Sequence, residues 1–86
     1  MKRYIKSVAL DVSDDNILTR LAVARDPNTR SEILGQLSWD YNPSVREAVA
    51  ENLNTPEEVL RRLTSDSDPW VVNDAMATLL EKRGRQ

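Results

Sequence analysis

Apolar residues recur along this chain at the spacing of short amphipathic helices. Val45, Ala48, Val49 and Leu53 follow an i, i+3, i+4, i+8 pattern, which places them on one face of a helix. A shorter stripe follows in residues 59–63. No segment alternates apolar and polar residues as a half-buried strand does. The pattern therefore predicts an all-α protein built from short helices.

Helix-start signals punctuate these stripes at regular intervals. Asn42-Pro43 and Asp68-Pro69 each combine an N-cap side chain with proline at the first helical position. Thr55 opens the motif Thr-Pro-Glu-Glu, which is typical of a capping box, and Thr29 opens a similar motif without the proline. We expect helices to begin near positions 15, 29, 42, 55 and 68, one about every 13 residues.

The chain contains an internal repeat. Residues 17–42 match residues 43–68 at ten identical positions, so the repeat recurs at an offset of 26. A third, partial copy aligns 72–77 with 45–50 at an offset of 27, and a faint half-copy covers 8–16. We expect a single domain, 1–86, with repeats at about 17–42, 43–68 and 69–80, an N-terminal cap at 1–16 and a C-terminal tail at 81–86.

Helices of about two turns are not stable alone, so neighbouring repeats must cover their apolar stripes. The ends of such a stack expose an apolar face unless the polar termini cap them, and end-to-end homodimerisation is the expected remedy where they do not. The predicted core consists of Leu21, Ala22, Ile33, Leu34, Leu37, Val45, Ala48, Val49, Val59, Leu60, Leu63, Val72, Ala75, Met76 and Leu79.

Residues 45–63, followed by Asp66-Ser-Asp-Pro-Trp70, resemble the leucine-rich repeat variant family, in which a Val-Arg-x-Ala-Val-Ala helix precedes an Asn-Thr-Pro turn. The resemblance extends over roughly 14–80 and implies a right-handed superhelical solenoid of short helix pairs, distantly similar to HEAT-type repeats. It also implies a bacterial binding scaffold. The second helix of each pair is either α or 3₁₀. Some members carry an iron–sulfur cluster on cysteines, which this chain lacks.

Composition narrows the chemistry that the chain can perform. Its 86 residues carry a net charge of −2 and contain neither cysteine nor histidine, which removes the usual nucleophile, base and metal ligands. The acidic stretches 14–16 and 66–68 are interpreted as helix caps rather than a calcium loop, because Pro69 begins a helix there. We expect no enzyme activity, cofactor, metal site or membrane span, and a cytoplasmic location.

Arg20 and Arg46 occupy equivalent repeat positions and would stack as a ladder on one side of the solenoid. Such a ladder could grip phosphates, which makes a nucleic-acid-binding repeat the alternative function. Further charge nearby in sequence comes from Arg25, Arg30, Arg61 and Arg62. The competing interpretation is that all these arginines lie over apolar surface and pair with Asp26, Glu47, Glu51 and Glu58. Residues 31–60 carry six acids and one arginine, so a phosphate track would cross an acidic region. That region could instead face a basic partner or simply be solvated.

Three aromatic side chains are candidates for contact with a partner. Trp39 and Tyr41 lie two residues apart in the segment that joins one repeat to the next. Trp39 stands where the next repeat has Ser65, so the repeat does not require it. The family resemblance, by contrast, implies that Trp70 is a packing residue. We therefore predict a protein–protein interaction scaffold with Trp39, Tyr41, Arg20 and Arg46 as its partner-binding residues.

Overall fold

A computed structural model of the protein describes residues 16–84. This part of the chain is all-helical and contains no strand, as predicted. Each helix begins within two residues of its expected position. Residues 1–15 lie outside the described part of the chain, and with them nearly all of the predicted N-terminal cap and of the half-copy at 8–16, including the acidic pair at 14–15; the last two residues of the predicted tail lie outside it too. The helices are α1 (Ile17–Arg25), α2 (Ser31–Leu37), α3 (Pro43–Glu51), α4 (Glu57–Leu63) and α5 (Pro69–Gly84).

Longer and shorter helices alternate along the chain. Helix α1 packs against α3, and α3 packs against α5, so α3 lies between two other long helices. The short helix α2 contacts α1 and α3, and α4 contacts α5. Both short helices are α-helices of seven residues, which answers the question left open between α and 3₁₀.

The core runs between the long and short helices. Most of the predicted core residues are buried, and Leu21, Val59 and Leu79 pack against them while partly exposed. The prediction was wrong for Ala22 and Met76, which are exposed, and for Val72, which is only half-buried. The buried apolar residues are Ala24, Ile33, Leu34, Leu37, Val45, Ala48, Val49, Ala50, Leu60, Leu63, Val71 and Ala75.

The error at Val72 comes from a register that was wrong by one residue. The buried apolar residues of α5 are Val71 and Ala75, which match Val45 and Val49 at an offset of 26 rather than 27. The turn before α5 holds no extra residue, because Asp68 caps this helix as Asn42 caps α3. The equal spacing of the two caps therefore sets the register, and the local similarity of 72–77 to 45–50 was misleading.

The exposure of Ala22 and Met76 reflects their places at the two edges of the described helices. Met76 is the counterpart of Ala50 one repeat later; Ala50 is completely buried, whereas Met76 is 52% exposed. Ala22 is the counterpart, one repeat earlier, of the buried Ala48. Among the described helices none lies beyond α1 or α5, so repeat positions that are core in α3 become surface at the edges.

The two threonines predicted as N-caps have another role. Helices α2 and α4 have Arg30 and Pro56 at their N-cap positions, with no side-chain hydrogen bond to the first turn. The Thr55 hydroxyl instead donates to the Val49 carbonyl at 2.8 Å, and the Thr29 hydroxyl donates to the Val23 carbonyl at 2.6 Å. Each threonine thus adds a second hydrogen bond to a carbonyl in the last turn of the preceding long helix, which also accepts from the backbone N–H of the C-cap residue.

Candidate functional site

Arg20 and Arg46 form a ladder, but each is bound to an aspartate of its own chain. Arg20 Nε lies 2.7 Å from Asp40 Oδ2, and Arg46 Nε lies 2.9 Å from Asp66 Oδ2. Arg46 Nη1 also donates to the Asp40 carbonyl at 2.7 Å, which ties one rung to the next. These four side chains are largely buried, so the guanidinium groups hold the inter-repeat turns in place.

The aspartate partners differ from those proposed in the sequence analysis. None of Asp26, Glu47, Glu51 and Glu58 pairs with either ladder arginine within the described residues; Asp40 and Asp66 do. The repeat itself indicates these ion-pair partners. Both arginines and both aspartates recur at the same offset, so each pair has the same separation of 20 residues.

Asp66 carries the electrostatic signature of this pairing. Burial alone would raise the pKa of its carboxyl group, but hydrogen bonds from Arg46 and from the Asp68 backbone outweigh burial and lower the pKa. The positive charges of Arg46 and Arg62 act in the same direction. Asp66 is therefore a firmly ionised anchor of its turn, and together with the cap at Asp68 it accounts for the acidic stretch 66–68 without a metal ion.

The predicted aromatic pair lies on the surface. Trp39 is 71% exposed and Tyr41 is 81% exposed, both in the turn between α2 and α3. Each ring is supported by an arginine: the guanidinium carbon of Arg62 lies 3.7 Å from the Trp39 ring centroid, and that of Arg20 lies 5.2 Å from the Tyr41 centroid. Cation–π contacts of this kind orient a ring without burying it.

A concave site connects this turn to the next one. We name it the aromatic groove; its volume is about 390 Å³. One wall is the 38–41 turn with its two aromatic rings, and the other is the 65–67 turn, where serines replace those rings. The groove is lined by Ser38, Trp39, Asp40, Tyr41, Arg46, Arg62, Leu63, Ser65, Asp66 and Ser67.

Arg62 joins the groove although the sequence analysis did not assign it to the site. Its Nη2 donates to the hydroxyl of the buried Ser38 at 2.6 Å, while its guanidinium stacks on Trp39. Arg62 forms no ion pair with any carboxylate in residues 16–84. The first repeat has Gln36 at the corresponding position, so the repeat pattern carried no signal for this contact.

Trp70 differs from its expected packing role. It is 66% exposed in the first turn of α5, outside the groove lining, and its backbone N–H donates to Asp68 Oδ1 at 2.8 Å. The packing role implied by the family resemblance is therefore wrong for this chain. Trp70 corresponds to Ser44 of the preceding repeat, which is also exposed.

Three carboxylates converge between α3 and α5. Oxygen atoms of Glu47, Glu51 and Asp74 lie within 4.8 Å of one another. Burial raises the pKa of both glutamates, and contact with Asp74 raises it further. Three carboxylate oxygens could ligate a hard cation. The close approach of the three groups is explained equally well by carboxyl groups that share protons within the cluster. The sequence analysis missed this cluster because its members come from two different repeats.

Residues 16–84 form five helices and no strand, an arrangement compatible with a helical repeat. Residues 43–68 match the leucine rich repeat variant family, which confirms the resemblance predicted from the sequence. No curated protein and no solved structure matches the chain. None of the helices in residues 16–84 is long and apolar enough to cross a membrane.

Proposed function

We propose that this protein is a non-enzymatic, cytoplasmic scaffold that binds another protein through the aromatic groove. A right-handed stacking of the helix pairs would present successive turns along one side, with Trp39 and Tyr41 at its centre. The observation that carries the proposal is the exposure of these two rings, side by side, at a preformed groove. Exposed aromatic residues on a rigid turn supply large contact areas at low entropic cost, which is characteristic of binding hot spots.

Rigidity of the turn supports this assignment. The backbone on both sides of the groove is held by the Arg20–Asp40 and Arg46–Asp66 pairs. Asp40 Oδ1 also accepts from the Asn42 backbone N–H at 2.9 Å, which closes the turn that carries both rings. A partner therefore meets aromatic side chains on a surface that is already ordered, so little free energy is lost in ordering it.

The alternative is a nucleic-acid-binding repeat that uses an arginine ladder. Binding phosphates would require Arg20 and Arg46 to exchange their short, buried ion pairs for contacts with a solvated backbone. Removing the partner of a buried charge is costly. The two arginine–aspartate ion pairs thus disfavour phosphate binding by the ladder. If the protein binds nucleic acid, it would do so by stacking single-stranded bases on Trp39.

Affinity capture from a lysate of the source cells, with and without nuclease, tests the proposal. We expect partner proteins that resist nuclease treatment to be retained by the parent and lost with Trp39→Ala. Trp70→Ala is the matched control, because it removes an equally exposed tryptophan outside the groove. Equal loss with both variants, or recovery of proteins only through nucleic acid, would contradict the assignment.

A second surface favours self-association. Helix α5 buries Val71 and Ala75 on one side, yet it exposes Met76 and Leu80 on the other. A helix that is apolar on opposite sides needs a second partner. The equivalent face of α3, which holds Ala50, is covered within the chain. We therefore propose that a second copy of this protein covers the face of α5 that exposes Met76 and Leu80.

A further inference from the structure

We propose that the aromatic groove takes a short extended segment of the partner protein that contains an aspartate or glutamate, and that this carboxylate binds Arg62. The inference rests on the proposed function, because it names the chemistry of the partner at the same groove. It adds Arg62 as the residue that selects the partner, whereas Trp39 and Tyr41 supply the contact area.

Arg62 is the charged side chain of the groove lining that has no ion-pair partner within residues 16–84. The two carboxylates of the groove, Asp40 and Asp66, are each bound to a ladder arginine. Both Asp66 oxygens accept from Arg46, at 2.9 and 3.1 Å, and Arg62 acts on Asp66 through its charge without a hydrogen bond. The groove lining is neutral as a whole, but both of its aspartates are bound to the ladder arginines, so Arg62 can still bind a carboxylate of a partner.

Arg62 is also held ready to bind. Its Nη2 is fixed by Ser38, whose own hydroxyl donates to the Gly35 carbonyl at 2.6 Å, and its planar group rests on the Trp39 ring. Nε and Nη1 donate to no acceptor in residues 16–84, so they are available to a carboxylate. A guanidinium that is already immobilised loses little entropy when it forms a charge-assisted hydrogen bond.

The size of the groove limits the form of the partner. A volume of about 390 Å³ accommodates a few side chains, at the lower end of the range for small-ligand sites. An extended segment could place one side chain at Arg62 and an apolar neighbour on Tyr41. The hydroxyl groups of Ser65 and Ser67 on the opposite wall add hydrogen-bonding partners for its backbone.

Selection from a displayed library of random dodecapeptides tests this inference on the full chain. We expect the parent protein to enrich peptides with Asp or Glu next to an apolar residue. A synthetic copy of an enriched peptide should bind Arg62→Gln at least about tenfold more weakly by fluorescence anisotropy, since a hydrogen bond to a charged group is lost. Replacing the acidic residue of the peptide by its amide should cost the parent a similar factor.

Arg61→Gln is the matched control, because it removes the same charge from an exposed neighbour that pairs with Glu57 outside the groove. It should change peptide affinity by less than about twofold, and thermal melts should show that both variants fold. Enriched peptides without acidic residues that still require Trp39 would overturn the role of Arg62 but leave the groove as the binding site. Peptides indifferent to Trp39, or preferential binding of a labelled oligothymidylate, would overturn the proposed function as well.

Discussion

Leu60 offers the most direct test of the packing, because its side chain is completely buried in the second short helix. Leu60→Ala removes three carbon atoms from a site with no exposed surface. Such substitutions cost about 2–5 kcal/mol, the sum of lost transfer free energy and of the cavity that remains. The matched control is Leu18→Ala, which makes the same change at a position on α1 that is 70% exposed and should alter stability by less than about 0.5 kcal/mol.

The expected loss is large compared with the total stability of such a chain. At about 0.05–0.15 kcal/mol per residue, 86 residues give a free energy of unfolding of about 4–13 kcal/mol. Because 1 kcal/mol shifts the melting temperature of a domain this size by about 4–8 °C, Leu60→Ala should lower it by at least about 8 °C.

Urea and thermal unfolding, followed by circular dichroism, measure both variants. The m-value should stay the same if only stability changes. Leu34 is the equivalent residue of the preceding repeat and is also completely buried, so Leu34→Ala should be destabilising to a similar degree. If Leu60→Ala unfolded within about 1 kcal/mol of the parent, the placement of this helix against the core would be refuted.

Two further outcomes follow from the acidic cluster and from α5. In the folded state the pKa of Glu51 is raised, first by burial and then by Asp74. The stability that Glu51 contributes is therefore fully present below its ordinary pKa and is lost as the pH rises through its folded-state pKa. Glu51→Gln should therefore raise the melting temperature at pH 7 but not at pH 4, whereas Glu58→Gln, on an exposed first turn, should give no such gain. Sedimentation should detect a dimer of the parent at high concentration that Leu80→Glu disrupts; a monomer at every concentration would contradict self-association through α5.

Local signals predicted the helices well, because helix starts depend on a few adjacent residues. Asn42 and Asp68 cap their helices as expected, since each side chain needs only the next backbone N–H groups. The core of α5 was misplaced because similarity between short apolar segments tolerates a slip of one residue, whereas packing does not. The threonine bonds were missed for the same reason: whether Thr55 turns forward or backward depends on the neighbouring helix, not on its motif.

The site was only partly accessible from the sequence. Trp39 and Tyr41 stood out because the repeat does not require them, and they are exposed in the structure. Arg62 was expected only as one of several arginines near the ladder. Its contact with Trp39 joins α4 to the turn after α2, in different repeats, and no periodic pattern encodes that proximity.

The inter-repeat turns contain two kinds of position: recurring residues that hold the turn in shape, and differing residues that are exposed for recognition. Residues that recur between turns, Asp40 and Asp66, are buried and bound to arginines, so they hold each turn in the same shape. Residues that differ, Trp39 against Ser65 and Tyr41 against Ser67, point to the surface at equivalent places. A framework that tolerates either ring or hydroxyl without loss of its ion pairs can change what it binds by changing only the exposed positions. For this reason the unrepeated residues of a repeat protein, rather than its repeated ones, are where its binding specificity should be sought.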